Sequence, residues 1–169
     1  TVSSAFLMIL LSVPTANAQS DDAQAIKDLL EAVAAYIQAG DMASLGKIYA
    51  PGRGVHIIEG SGVNHGWEDY RDNHLGPELD AFKNFTYKYL AIEPVVKGEF
   101  AFVALRYELT ADTDSGHIEM EGRGTTVLEK MDGMWRIVHT HTFILYFFAP
   151  LHFIQLPLPS PALQLVRLL

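Results

Sequence analysis

Cysteine is absent from all 169 residues. Disulfide bridges, thiolate metal centres and cysteine nucleophiles are thereby excluded, while the redox environment stays open. Positive charge is scarce as well. Twelve Lys and Arg stand against 20 Asp and Glu, giving a formal net charge of −8, which argues against the clustered basic surface that nucleic-acid binding needs. A Gly-rich phosphate loop, a G-x-S-x-G elbow and a dinucleotide fingerprint are also missing. What is present is 49% hydrophobic and 19% charged. That supplies the core of one domain and excludes a disordered or collagen-like polymer.

The two ends differ in character from the middle. Ala5 to Val13 is an apolar run too short to span a bilayer, and Pro14 and Ala16-Asn17-Ala18 follow it before Gln19. This pattern reads as a secretory signal peptide over residues 1–18, with cleavage after Ala18 and a periplasmic or otherwise exported mature chain. At the other end, no Asp, Glu, Lys or Arg occurs between Arg136 and Arg167, and Phe143 to Phe148 is continuously apolar. Pro150, Pro157, Pro159 and Pro161 oppose a straight spanning helix. Residues 143–169 therefore read as an apolar, Pro-containing tail that contacts a membrane, a partner subunit or a groove of its own domain, or that lacks structure.

Periodicity organises the rest. Asp21 or Asp22 can cap a helix with apolar positions Ala25, Ile26, Leu29, Leu30, Val33, Tyr36 and Ile37, and Gly40 ends it. Asp41 can cap a shorter second helix, which Pro51-Gly52 stops. A strand at Val55 to Glu59, a Gly60-Ser61-Gly62 turn and a return at Val63 to His65 form a hairpin, and Trp67 to Leu75 has helical spacing closed by Gly76-Pro77. From Phe85 the period becomes two. Phe85 to Glu93, Glu99 to Thr110, His117 to Lys130 and Met134 to about Leu145 read as four strands, separated by Pro94 to Gly98, Asp112 to Gly116 and Asp132-Gly133. Three helices covering one face of an antiparallel sheet make the fold class α+β.

That order, with Ala39-Gly40-Asp41 between two helices, Tyr49-Ala50-Pro51 before the first strand and Trp135-Arg136-Ile137-Val138-His139 on the last, resembles the nuclear transport factor 2-like superfamily and its SnoaL-like branch. The resemblance covers about Asp22 to Thr142, and sets the domain at 19–142. It implies a cone in which helices and a curved sheet enclose a pocket for a small molecule, usually in a homodimer. Its members include isomerases, cyclases, dehydratases and binders, so the fold does not choose among them.

Strict alternation on the last strand puts Trp135, Ile137, His139 and His141 on one face, and the resemblance implies that this face lines the pocket. His56 on the first strand, His65 after the hairpin, and Tyr70 and His74 in the third helix join them as expected ligand-binding residues. His139 and His141, two positions apart on a strand, are a workable ligand pair for Zn²⁺ or Cu²⁺, with His56, His65 or His74 as a third. Hydrogen bonding to an organic ligand, or a structural role, suits the same imidazoles. Glu59 lies where the resemblance places the proton-abstracting carboxylate of ketosteroid isomerases, but Val33 falls close to the position of their oxyanion-stabilising tyrosine. Three functions stay open: small-molecule binding, an isomerase-, cyclase- or hydratase-type reaction with Glu59 as general base, and an accessory subunit of a membrane complex held by its tail. The polar row His117, Glu119, Glu121 and Arg123 reads as solvated or dimer-facing, and Trp67, Phe82, Phe85, Tyr87 and Tyr89 as core aromatics.

Overall fold

A computed structural model describes residues 16–145. Residues 1–15 and 146–169, and with them most of the expected signal segment and tail, lie outside the described residues. Helix α1 spans Ala16–Ala39. It buries Ile26, Leu30 and Val33 at spacings of four and three, the stripe that a helix covering a sheet requires. Neither Asp21 nor Asp22 caps it, because the helix begins upstream of both. The Asp22 carboxylate instead accepts hydrogen bonds from Lys130 Nζ at 2.6 Å and Trp135 Nε1 at 3.0 Å, tying the helix to the last two strands. Asp41 does cap α2 (Met42–Leu45), accepting from the Ser44 amide at 3.0 Å.

Strands β1 (His56–Glu59) and β2 (Gly62–His65) form the expected hairpin. The helix after it does not stop at Gly76-Pro77. A helical turn α3 (Trp67–Tyr70) passes through a π turn at Arg71–Leu75 into α4 (Gly76–Ala81). Pro77 stands in the first turn of α4, where a missing N–H costs nothing. Gly76 lets the widened turn close, since a Cβ there would lie 2.6 Å from the Arg71 carbonyl oxygen.

Strands β3 (Lys83–Lys97), β4 (Phe100–Thr113), β5 (Gly116–Met131) and β6 (Met134–Leu145) complete one six-stranded sheet of order β2-β1-β6-β5-β4-β3. The β1–β6 pair is parallel and the other neighbours are antiparallel. The expected break at Pro94 is absent, because β3 is an edge strand and proline is tolerated there. Phe143 and Ile144 belong to β6, so the sheet extends past the expected boundary at 142. The Gln38 side chain accepts from the Tyr87 amide and the Gln19 amide group donates to the Val96 carbonyl, which lays α1 along β3. Among the described residues, no helix is long and apolar enough to cross a membrane.

One irregularity decides which side chains face inward. On β6, Ile137 stands opposite Leu128 but His139 stands opposite Val127, leaving Val138 as an extra residue. This is a β-bulge, and it reverses the alternation for the remainder of the strand. Before it, Trp135 and Ile137 point to the inner face and are buried; after it, Thr140, Thr142 and Ile144 point inward, Thr142 buried and the other two partly so. His139, His141 and Phe143 are left on the outer face. The bulge falls where β6 exchanges one neighbour for another. Ile137 bridges Tyr49, with its carbonyl accepting from the Ala50 amide at 2.9 Å, whereas His139 pairs with His56 at the start of β1.

Candidate functional site

The inner face of the sheet and the α3–α4 segment enclose a cavity of about 120 Å³. Phe82, Phe85, Leu109, Met120 and Ile144 supply apolar wall, with Tyr87 and Tyr107 beside them. Tyr107 reaches its place because residue 122 on the neighbouring strand is glycine. A Cβ at Gly122 would overlap the Tyr107 ring. Burial pushes the Tyr107 hydroxyl up to about 12, so it stays protonated.

One end of the cavity is polar and ionised. Glu59, on the inner face of β1, receives the Tyr70 hydroxyl on Oε1 at 2.7 Å and faces His74 Nε2 with Oε2 at 3.1 Å. His74 Nε2 also lies 3.3 Å from Glu78 Oε1. On its other side, His74 Nδ1 lies 3.1 Å from Asn64 Oδ1, and the Asn64 amide nitrogen faces the Asp69 carbonyl. All three partners of His74 are acceptors, so both ring nitrogens carry protons. The hydrogen bonds to Glu59 and then Glu78 raise its pKa to about 10 against the partial burial that opposes them. Burial and the Glu59 charge hold the Tyr70 hydroxyl well above its ordinary value, fixing it as a donor. The π turn has a direct part here. It carries the chain from His74, one turn past Tyr70, on to Glu78 at the mouth of the cavity.

Of the expected site residues, the structure brings together Glu59, Tyr70 and His74. Trp135 and Ile137 do face inward, but they lie in the packed core and not on the cavity. His56, His65, His139 and His141 are corrected to the outer face, because the bulge at Val138 turns His139 and His141 away from the pocket. There His65, His56 and His139 form a lateral row on β2, β1 and β6, with the His56 and His65 rings 5.0 Å apart, edge to face. Burial and then the neighbouring His141 and His56 lower the His139 pKa. The expected metal set of His139, His141 and His56 is not gathered there for an ion. Among the described residues, the donors that converge are Glu59, His74 and Glu78.

Glu78 and Asn64 were missed by the sequence reading, as were Phe82, Phe85 and Tyr87 in their role as cavity wall. The His74-x-x-x-Glu78 spacing was a usable signal, hidden by reading Gly76-Pro77 as a stop.

The model of the SnoaL-like domain matches residues 26–146. The chain belongs to this family. Solved structures of the same fold include a nuclear transport factor 2-like superfamily protein from Salmonella enterica, 21% identical over 80% of this chain and 99% of its own, with a TM-score of 0.70. A putative ketosteroid isomerase from Shewanella frigidimarina is 23% identical over 68% of this chain and 91% of its own, with a TM-score of 0.61. A hexachlorocyclohexane dehydrochlorinase of LinA type 3 from Novosphingobium barchaimii is 18% identical over 83% of this chain and 97% of its own, with a TM-score of 0.65. At these identities the likeness is one of fold. Among curated proteins, no relative matches the sequence.

Proposed function

We propose that this SnoaL-like domain binds a small, largely apolar molecule in its inner cavity, with Glu59 acting on the ligand as a general base. The observation that carries this reading is the placement of the Glu59 carboxylate at the polar end of a pocket whose other walls are largely apolar and aromatic, oriented by the Tyr70 hydroxyl and His74. A carboxylate held there can take a proton from the carbon beside a carbonyl and return it to another carbon, or assist departure of a leaving group. Isomerase and dehydrochlorinase relatives with this fold fit that chemistry. The imidazolium and the hydroxyl keep Glu59 in one rotamer and supply protons next to it.

The test uses 2-tetralone, a flat aromatic ketone with acidic protons beside its carbonyl, incubated in D₂O with EDTA present. The wild-type chain should speed deuterium incorporation over buffer, and Glu59→Gln should reduce that rate by about 100-fold or more, the loss expected on removing a positioned general base. Saturable binding of the ketone with no exchange would leave the cavity as a binding site and remove the catalytic half of the proposal. Absence of both would end it.

A second reading concerns assembly. The outer face exposes Phe100, Phe102, Phe143 and Val63, each with about half of its surface open, and a second copy of this chain is the occupant that family membership favours. Sedimentation should give a dimer that Phe102→Glu dissociates. Export is proposed on the sequence of residues 5–18 alone. Cleavage after Ala18 would spare Gln19 and its bond to Val96, and N-terminal sequencing of secreted material should begin at Gln19.

A further inference from the structure

We infer that Glu59, His74 and Glu78 form a binding site for a divalent transition-metal ion of the Zn²⁺ type, with one coordination position open to the cavity. The same side chains serve the proton-transfer reading above, but this inference does not rest on it, since it concerns what occupies the space between them. Two features of the geometry point to an ion. One donor atom from each of Glu59, His74 and Glu78 converges within 4.8 Å of the others. The Glu59 Oε2 and Glu78 Oε1 atoms stand 3.1 and 3.3 Å from His74 Nε2. Two donors bound to one ion at about 2.1 Å, across an angle of 90° to 109°, stand about 3.0 to 3.4 Å apart, so each carboxylate oxygen already stands at ligand spacing from His74 Nε2.

The supporting contacts are those of a built site. Asn64 Oδ1 accepts the Nδ1 proton of His74, so when an ion displaces the Nε2 proton to solvent, Nδ1 stays protonated and Nε2 is the ligand. The Tyr70 hydroxyl occupies Oε1 of Glu59 and leaves Oε2 for the ion. Asn64 and Tyr70 are both buried, so these orientations are set by the fold. Glu78, with 46% of its side chain exposed, gives an entry path. One imidazole and two carboxylates suit Zn²⁺, Mn²⁺ or Co²⁺ over Ca²⁺, which takes six to eight oxygens. Three protein ligands with a vacancy facing the pocket are the pattern of a catalytic centre; a structural centre would close the fourth position. A carbonyl, hydroxyl or carboxylate oxygen of a cavity ligand would take that position.

The test is calorimetric titration of the EDTA-treated full chain with Zn²⁺ alone, and with Co²⁺, whose visible absorption reports bound nitrogen and oxygen donors. One ion per chain is expected. Glu78→Gln, at an exposed position that the fold tolerates, and His74→Gln should each weaken binding by about tenfold or more and suppress the Co²⁺ spectrum. The triple variant His56→Ala, His139→Ala, His141→Ala should retain both. Binding lost in the triple variant but kept in Glu78→Gln would assign the ion to the outer face and overturn the inference, as would no Zn²⁺ uptake by the wild-type chain. Circular dichroism of each variant separates loss of the site from loss of the fold. The exchange assay with 2-tetralone is run in EDTA, so its failure leaves this result untouched, and the reverse holds.

Discussion

The two faces of the sheet treat the same side chain in opposite ways. On the inner side, His74 sits against two carboxylates and a carbonyl oxygen and is held as an imidazolium. On the outer side, His139 is partly buried beside two other imidazoles and is pushed toward the neutral form. Residue type alone therefore says little about a histidine's chemistry; the acceptors and charges within about 4 Å decide it. The two faces also differ in composition. The inner one is closed by aromatic side chains around Glu59, and the outer one carries phenylalanine beside histidine and the Arg106–Glu121 ion pair.

The sharpest way to break this contrast is to insert one alanine between Val138 and His139. Deleting Val138 would keep the faces, because Ile137 and His139 would then alternate without a bulge. The insertion shifts the rest of the strand by one residue, turning Thr142 and Ile144 outward and His139 and His141 toward the cavity region. The burial of several residues is lost at once, and the expected cost is about 4 kcal/mol or more. Urea denaturation of the insertion variant should show a chain largely unfolded at low denaturant. A near-native midpoint would mean that the register after Val138 does not set the faces.

A smaller effect is expected at Gly122. Valine there would drive the Tyr107 ring from its place against β5 into the cavity, at a cost of about 1 to 3 kcal/mol for overpacking. Binding of 2-tetralone should be lost even where the variant remains folded at 25 °C, measured by fluorescence titration beside a thermal melt.

The smallest effect is a pH dependence, followed by NMR of the histidine rings in EDTA. His74 has a folded pKa of about 10, raised above its ordinary 6.5. Its contribution to stability is therefore complete below about pH 6.5 and is lost as pH rises through about 10. His139 is shifted the other way. Its contribution is present above about pH 6.5 and is lost as pH falls through its lowered value. The His74 ring signals should stay unchanged from pH 5 to 8, while those of His139 should move below pH 6.5.

Much of the fold was legible. The stripe of Ile26, Leu30 and Val33, the Asp41 cap and the period-two segments after Phe85 gave the element order and the α+β class, because these signals act within a few residues along the chain. The site was legible in part. Glu59 was identified through the family resemblance, which places a carboxylate at the end of that strand, and Tyr70 and His74 from their positions one turn apart on the third helix. Glu78 was hidden because Gly76-Pro77 is a helix stop in most contexts, and here a π turn carries the helix across it. His139 and His141 were misplaced for a related reason. The doublet Ile137-Val138 breaks the alternation between Trp135 and Thr142, and nothing near it says whether a bulge follows.

The amino-acid sequence by itself determined the helices, the hairpin, the strands and the acidic character of the chain, since hydrophobic period and capping depend on neighbours in sequence. Only the tertiary structure decided which face each β6 residue took after Val138, and that Glu59, Asn64, His74 and Glu78 meet. Those outcomes rest on strand partners and on a helix register set by packing across the molecule. Ile137 must serve Tyr49 and His139 must serve His56, and one extra residue is what lets a single strand satisfy both.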